Sequence, residues 1–120
     1  KEISKIIFYR ENVADLLTRL NADNLKPSEV YKLLRPFANE ILLIILAKTS
    51  FPRIKRRIIS FLKKYIWIKI DIAGEDIKKM GKKEGILFGK ILTSVLYKKI
   101  NGHLKSREEQ LDYLRKEFIA

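Results

Sequence analysis

Prolines at 27, 36 and 52 and the pair Asn101-Gly102 cut the chain into stretches that each carry apolar residues at helical spacing. Val13, Leu16, Leu17 and Leu20 form one such stretch, ending near Asn21 and Asn24. Pro27 then suits a first helical turn, with Glu29 favourable beside that N-terminus and Val30, Leu33 and Leu34 on the inward face. Pro36 disfavours a helical conformation at Arg35 and ends the segment. From Phe37 to about Lys48 the residues are almost wholly apolar, Ile41 through Leu46 without interruption, and a helix apolar all round is predicted to lie buried at the centre of the core.

Ser50 is a plausible N-cap for a helix with Pro52 in its first turn. Phe51, Ile54, Ile58, Phe61, Leu62 and Tyr65 share one face of its wheel. Arg53, Arg56, Arg57, Lys63 and Lys64 gather on the other, with Lys55 straying from the group. No acidic residue occurs between Glu40 and Asp71. Solvated helix faces usually mix signs, so this one-sign face is the anomaly. Ile66 to Ile72 partly alternates, but no second strand pattern exists to pair with it, and an extended connector is expected. Tyr65 and Trp67 could stack on bases, although a core role is the favoured reading.

The segment Gly74 to Leu92 frames two short helical patterns with Gly74, Gly81, Gly85 and Gly89. Gly81 is expected to end the first helix and Gly85 to permit a close approach before the second, giving a tight helical hairpin. Free N–H groups at a helix start suit an anion, and Lys78, Lys79, Lys82, Lys83 and Lys90 crowd the region. For Gly89, close packing inside the fold and close approach of a partner are equally good explanations. The following helix carries Phe88, Ile91, Leu92, Val95, Leu96 and Ile100 and should stop at Gly102. Ser106-Arg107-Glu108-Glu109 is a capping-box pattern opening a last helix, with Leu111, Leu114 and Phe118 inward. An all-α bundle of about six or seven short helices follows. It is read as a single helical domain over 1–120, with a first part near 1–70 and a second near 71–120.

A formal net charge of +12 and a pI near 10.0 favour a polyanionic partner, through steering and counterion release. Chemistry finds little support. With no cysteine and only His103, neither a thiolate metal site nor a multi-histidine cluster can form. Glu75-Asp76 and Glu108-Glu109 are better explained as helix-start residues than as acid–base pairs, because successive helical positions do not converge. No catalytic residue and no metal ligand is assigned. The longest apolar run, Ile41 to Ala47, is far short of a bilayer span, no secretory signal is visible, and the cytoplasm is the default. Because the chain opens at Lys1 and its only methionine is Met80, it is expected to be a piece of a longer polypeptide.

Gly74-x-Asp76-Ile77, then Gly81, Gly85, Gly89 and Ile91-Leu92, then Gly102 and Ser106-Arg107-Glu108-Glu109, resembles the C-terminal region of bacterial class II tRNA nucleotidyltransferases, the CCA-adding and poly(A)-polymerase-like enzymes. Lys26-Pro27-Ser28-Glu29-Val30-Tyr31-Lys32-Leu33-Leu34 looks like the body region of the same family. The resemblance covers residues 25 to 118, and it departs where Glu84 and Ile86 flank Gly85 in place of the family's frequent prolines. It implies a noncatalytic helical body and tail that holds the acceptor arm and elbow of tRNA by backbone contacts. It also implies upstream head and neck domains, in which Mg2+ and ATP or CTP would be handled while CCA or A is added. Phosphate contacts are then expected from Arg53, Arg56, Arg57, Lys63, Lys64, Lys78, Lys82, Lys83 and Lys90, with Gly74, Gly81, Gly85 and Gly89 shaping the hairpin. The rival readings are a helical hairpin that clamps a DNA backbone and a protein-interaction or oligomerisation module.

Overall fold

In a computed structural model, the backbone of residues 2–81 and 86–119 is described, with the side chains of residues 3, 12–81 and 88–117. The described residues form seven α-helices and no strand, so the fold is all-α as the periodicity predicts. The chain divides at residue 67 into two units, each with its own apolar core.

In the first unit, α1 (Glu2–Leu20) is followed by α2 (Pro27–Leu34), α3 (Asn39–Lys48) and α4 (Pro52–Lys63), and a 3-10 turn (Tyr65–Trp67) closes it. Pro27 occupies the first turn of α2, and Glu29 Oε1 accepts a hydrogen bond from the Lys26 N–H at 3.1 Å. Asn24, in the connection from α1, takes a φ of 57°, a left-handed conformation that its short amide side chain tolerates. The core joins Leu16 and Leu20 of α1, Val30 and Leu34 of α2, Ile41, Leu42 and Ile45 of α3, and Ile54, Ile58 and Phe61 of α4. Tyr31 and Phe61 approach with ring centroids 5.9 Å apart at a tilt of 50°, a favourable aromatic arrangement between α2 and α4.

Several expectations for this unit are corrected. Helix α2 ends at Leu34, but Arg35, the residue before Pro36, is itself helical, with φ −54° and ψ −40°. Helix α3 is not buried all round: Ile41, Leu42 and Ile45 face the core, whereas Leu43 and Ile44 are 54% and 44% exposed. A uniformly apolar wheel does not say which side faces the core, and here one side is left bare. Ser50 does not cap α4. Pro52 holds the residue before it extended, so the cap position falls on Phe51, with φ −85° and ψ 114°. Phe51 is consequently outside the helix and exposed, not on its inward face. Trp67, favoured as a core residue, is 69% exposed, because the helix ends at Lys63 and the following turn carries the indole off the apolar face.

Of the connector expected over Ile66 to Ile72, Ile66 and Trp67 instead lie in the 3-10 turn that closes the first unit. In the second unit, residues 68–73 carry no regular structure. They lead to α5 (Gly74–Lys79), α6 (Ile86–Ile100) and α7 (Arg107–Leu114), with a π turn at Arg115–Ile119. The core is Ile72, Ile77, Phe88, Ile91, Val95 and Leu114. Helix α6 ends in a Schellman turn: Gly102, at φ 93°, donates to the Lys99 carbonyl, and the His103 N–H reaches the Lys98 carbonyl at 2.9 Å. Ser106 caps α7 by accepting from the Glu109 N–H at 3.1 Å, while its hydroxyl also meets Glu109 Oε1 at 3.2 Å. Leu114 is buried and Leu111 partly so; the Phe118 side chain lies outside the described residues. Among the described residues no helix is long and apolar enough to cross a membrane.

Candidate nucleic-acid interface

Helix α4 separates its cations into two groups. Arg53 and Arg57 turn toward the end of α1, where carbonyls have no partner within the helix. Arg57 Nη1 donates to the Leu20 and Ala22 carbonyls at 2.6 and 2.7 Å. Arg53 Nη1 donates to the Asn21 carbonyl at 2.7 Å and pairs with Asp23 Oδ1 at 2.7 Å. The two guanidiniums act as a cationic C-cap for a helix more than thirty residues away, where the helix dipole also favours positive charge. Partial burial lowers the Arg57 pKa below its ordinary value, and the charges of Arg53 and Arg56 act in the same direction.

Lys55, Arg56, Lys63 and Lys64 form the other group. All four are exposed, and none has an ion-pair partner among the described residues. Ile59, 39% exposed, sits between them at helical spacing. Lys55, which the wheel set apart, shares their exposure. A guanidinium and three ammonium groups presented to solvent without an acid can hold phosphate oxygens, Arg by a fork and Lys as a mobile point charge.

The glycine hairpin occupies the second unit. A Cβ built at Gly74, the first residue of α5, would lie 3.4 Å from Phe88 Cδ2, an ordinary van der Waals contact with a residue of α6. Gly81 follows α5 at φ 97°, with its N–H on the Lys78 carbonyl at 3.0 Å. Lys82, Lys83 and Gly85 lie outside the described residues. Lys78 and Lys90 are exposed. Gly89 meets no atom of the described residues within 4 Å of a built Cβ, which removes close internal packing as its explanation there. It borders a surface groove of about 640 Å³ along α6, lined also by Lys90, Thr93, Tyr97, Lys98 and Asn101. Lys98 Nζ stands 5.4 Å from the Tyr113 ring centroid, and Tyr113 shares a hydrogen bond of 2.9 Å with Ser94.

The residues that organise this unit escaped the sequence reading. Gln110, fully buried, accepts from the Asp71 N–H at 2.8 Å and donates Nε2–H bonds to Asp71 Oδ2 and the Leu104 carbonyl, each at 3.0 Å. The latter bond anchors Leu104 at its left-handed φ of 51°. Lys99 Nζ binds the Lys69 carbonyl and Asp71 Oδ2. Arg107 forks onto Asp76, with Nη2 on Oδ1 at 2.5 Å, and reaches the Asp71 carbonyl at 2.8 Å. Asp76 Oδ2 accepts from the Ala73 N–H at 2.8 Å, the helix-start role expected of it. The Arg107 hydrogen bond lowers the Asp76 pKa, with help from the Ala73 N–H; the Lys99 hydrogen bond lowers that of Asp71. One signal was available for Gln110: it stands four residues before Leu114 and so shares its inward face.

Over 103 residues, 84% of the chain, the sequence is 30% identical to an A-adding tRNA nucleotidyltransferase of Geobacter sulfurreducens. The chain is a distant relative of that enzyme family. The match spans 12% of the relative's length. No family model matches the chain, and no solved structure matches it.

Among the described residues, no group of three His, Cys, Asp or Glu side chains could hold a metal ion. Asp71 and Asp76 are engaged by Lys99 and Arg107 respectively.

Proposed function

We propose that the chain is a noncatalytic tRNA-holding part of a tRNA nucleotidyltransferase. Its role is to anchor the acceptor arm and elbow through the phosphate backbone while a catalytic domain elsewhere extends the 3′ end with A or CCA. In this reading Mg2+ and the nucleoside triphosphate belong to that catalytic domain. The observation that carries the proposal is the acid-free exposed surface of α4, formed by Lys55, Arg56, Lys63 and Lys64. The distant relation to an A-adding tRNA nucleotidyltransferase supports tRNA as the polyanion. Backbone recognition fits a surface of point charges, because such contacts position a nucleic acid without reading its bases.

The test is competition. Labelled tRNA bound to the chain is displaced by unlabelled tRNA or by duplex DNA of equal length, for the wild type and for Arg56→Glu with Lys63→Glu. Preference for tRNA, weakened by the double substitution, is the expected result. Equal displacement by DNA would assign the surface to a general backbone clamp, and a self-associating chain without nucleic-acid affinity would mark an oligomerisation module.

A further inference from the structure

Trp67 is the only tryptophan of the chain and is 69% exposed, which leaves one of the largest apolar side chains in water. It is nonetheless held. The indole N–H donates to the Leu62 carbonyl at 3.1 Å, and the backbone N–H of the same residue donates to the Lys64 carbonyl at 3.1 Å. The ring is therefore tied by its edge over the last turn of α4, at a helix end where the Leu62 carbonyl lacks an intrahelical partner. Lys63, the last residue of α4, and Lys64, its C-cap, follow Leu62 directly and are both exposed.

A fixed, solvent-facing aromatic ring flanked by unpaired cations is selective about its partner. An apolar protein surface would cover the ring but strip water from ammonium groups without supplying counter-charge. A nucleic acid satisfies both, with a base face on the ring and phosphates on the lysines, and this pairing of stacking platform and basic track is how unpaired strands are held. A base inside a duplex already has its faces covered by its neighbours. We infer that Trp67 is a stacking platform for an unpaired RNA base whose flanking phosphates lie on Lys63 and Lys64. The inference rests on the reading of α4 as an RNA surface and deepens it: part of the ligand at that surface is single-stranded.

Because Trp67 is the only tryptophan, intrinsic fluorescence reports on this ring alone. The full chain is titrated with a short oligouridylate, with a blunt RNA duplex of equal length, and with inorganic polyphosphate as an anion that cannot stack. The oligouridylate is expected to quench the emission, and the other two to bind with little quenching. Trp67→Leu should weaken oligouridylate binding about tenfold or more, leave polyphosphate binding unchanged, and be largely rescued by Trp67→Phe. Oligouridylate binding without a fluorescence change, or with full affinity in Trp67→Leu, overturns the assignment while leaving the α4 reading intact. Failure of all three probes to bind overturns both. A blue shift that grows with protein concentration and without RNA would give the ring to a second copy of the chain, and also overturns it.

Discussion

The guanidinium of Arg57 holds the Leu20 and Ala22 carbonyls at 2.6 and 2.7 Å, while Arg56, its neighbour in sequence, points to solvent. One belongs to the fold and the other to the surface. Arg57→Gln should cost about 1–3 kcal/mol of stability, because charge-assisted bonds to otherwise unpartnered carbonyls are lost. Arg56→Gln should stay within about 0.5 kcal/mol of the wild type and act on RNA affinity alone. Urea denaturation of the two variants separates these effects.

Acid should loosen the second unit first. Asp71 and Asp76 have lowered pKa values in the folded chain, so each contributes stability that is complete above the ordinary aspartate value of about 3.9. That contribution fades as pH falls through the depressed folded values, since the unfolded chain takes up protons first. Asp76→Asn should be less stable near neutral pH and should show a shallower loss of stability below about pH 4. Denaturation midpoints measured from pH 7 to pH 2 check the sign on the ~3.9 reference scale.

Helix α3 offers a paired contrast one residue apart. Leu42 is fully buried and Leu43 is 54% exposed. Leu42→Ala should cost about 2–5 kcal/mol, the range for removing a buried leucine side chain. Leu43→Ala should cost less than about 0.5 kcal/mol. Equal costs would mean that the exposed side of α3 is covered in the folded chain.

Gly89 lies inside α6, and no atom of the described residues comes within 4 Å of where its Cβ would go. Gly89→Ala should therefore stabilise the chain, by up to about 1 kcal/mol, through the entropy that glycine loses in a helix. A lower melting temperature in the variant would show that the position is closely packed after all.

Local chemistry was legible in the sequence wherever a single segment determines it. Pro27 and Pro52 mark true helix starts, Ser106 caps α7, and Gly102 ends α6, because each acts on backbone groups within a few residues. Legibility failed where distant segments meet. Arg53, Arg56 and Arg57 look alike on a helical wheel, and only the end of α1, brought to α4 by the fold, distinguishes them. Leu43 and Ile44 are indistinguishable by type from the buried residues of α3. A large aromatic such as Trp67 is expected in a core, yet the end of α4 at Lys63 leaves it outside. Gln110 is polar by type, yet its buried amide connects Asp71 to the Leu104 carbonyl.

The most direct test of the account is the salt dependence of tRNA binding by the wild type and by Lys63→Gln with Lys64→Gln. Phosphate contacts release counterions, so the logarithm of the binding constant should fall linearly with the logarithm of salt concentration. The double variant should bind more weakly and show a slope smaller by roughly one for each lost contact. Affinity indifferent to salt, or a slope unchanged by the two substitutions, would contradict the assignment of α4 as the surface that holds the RNA backbone.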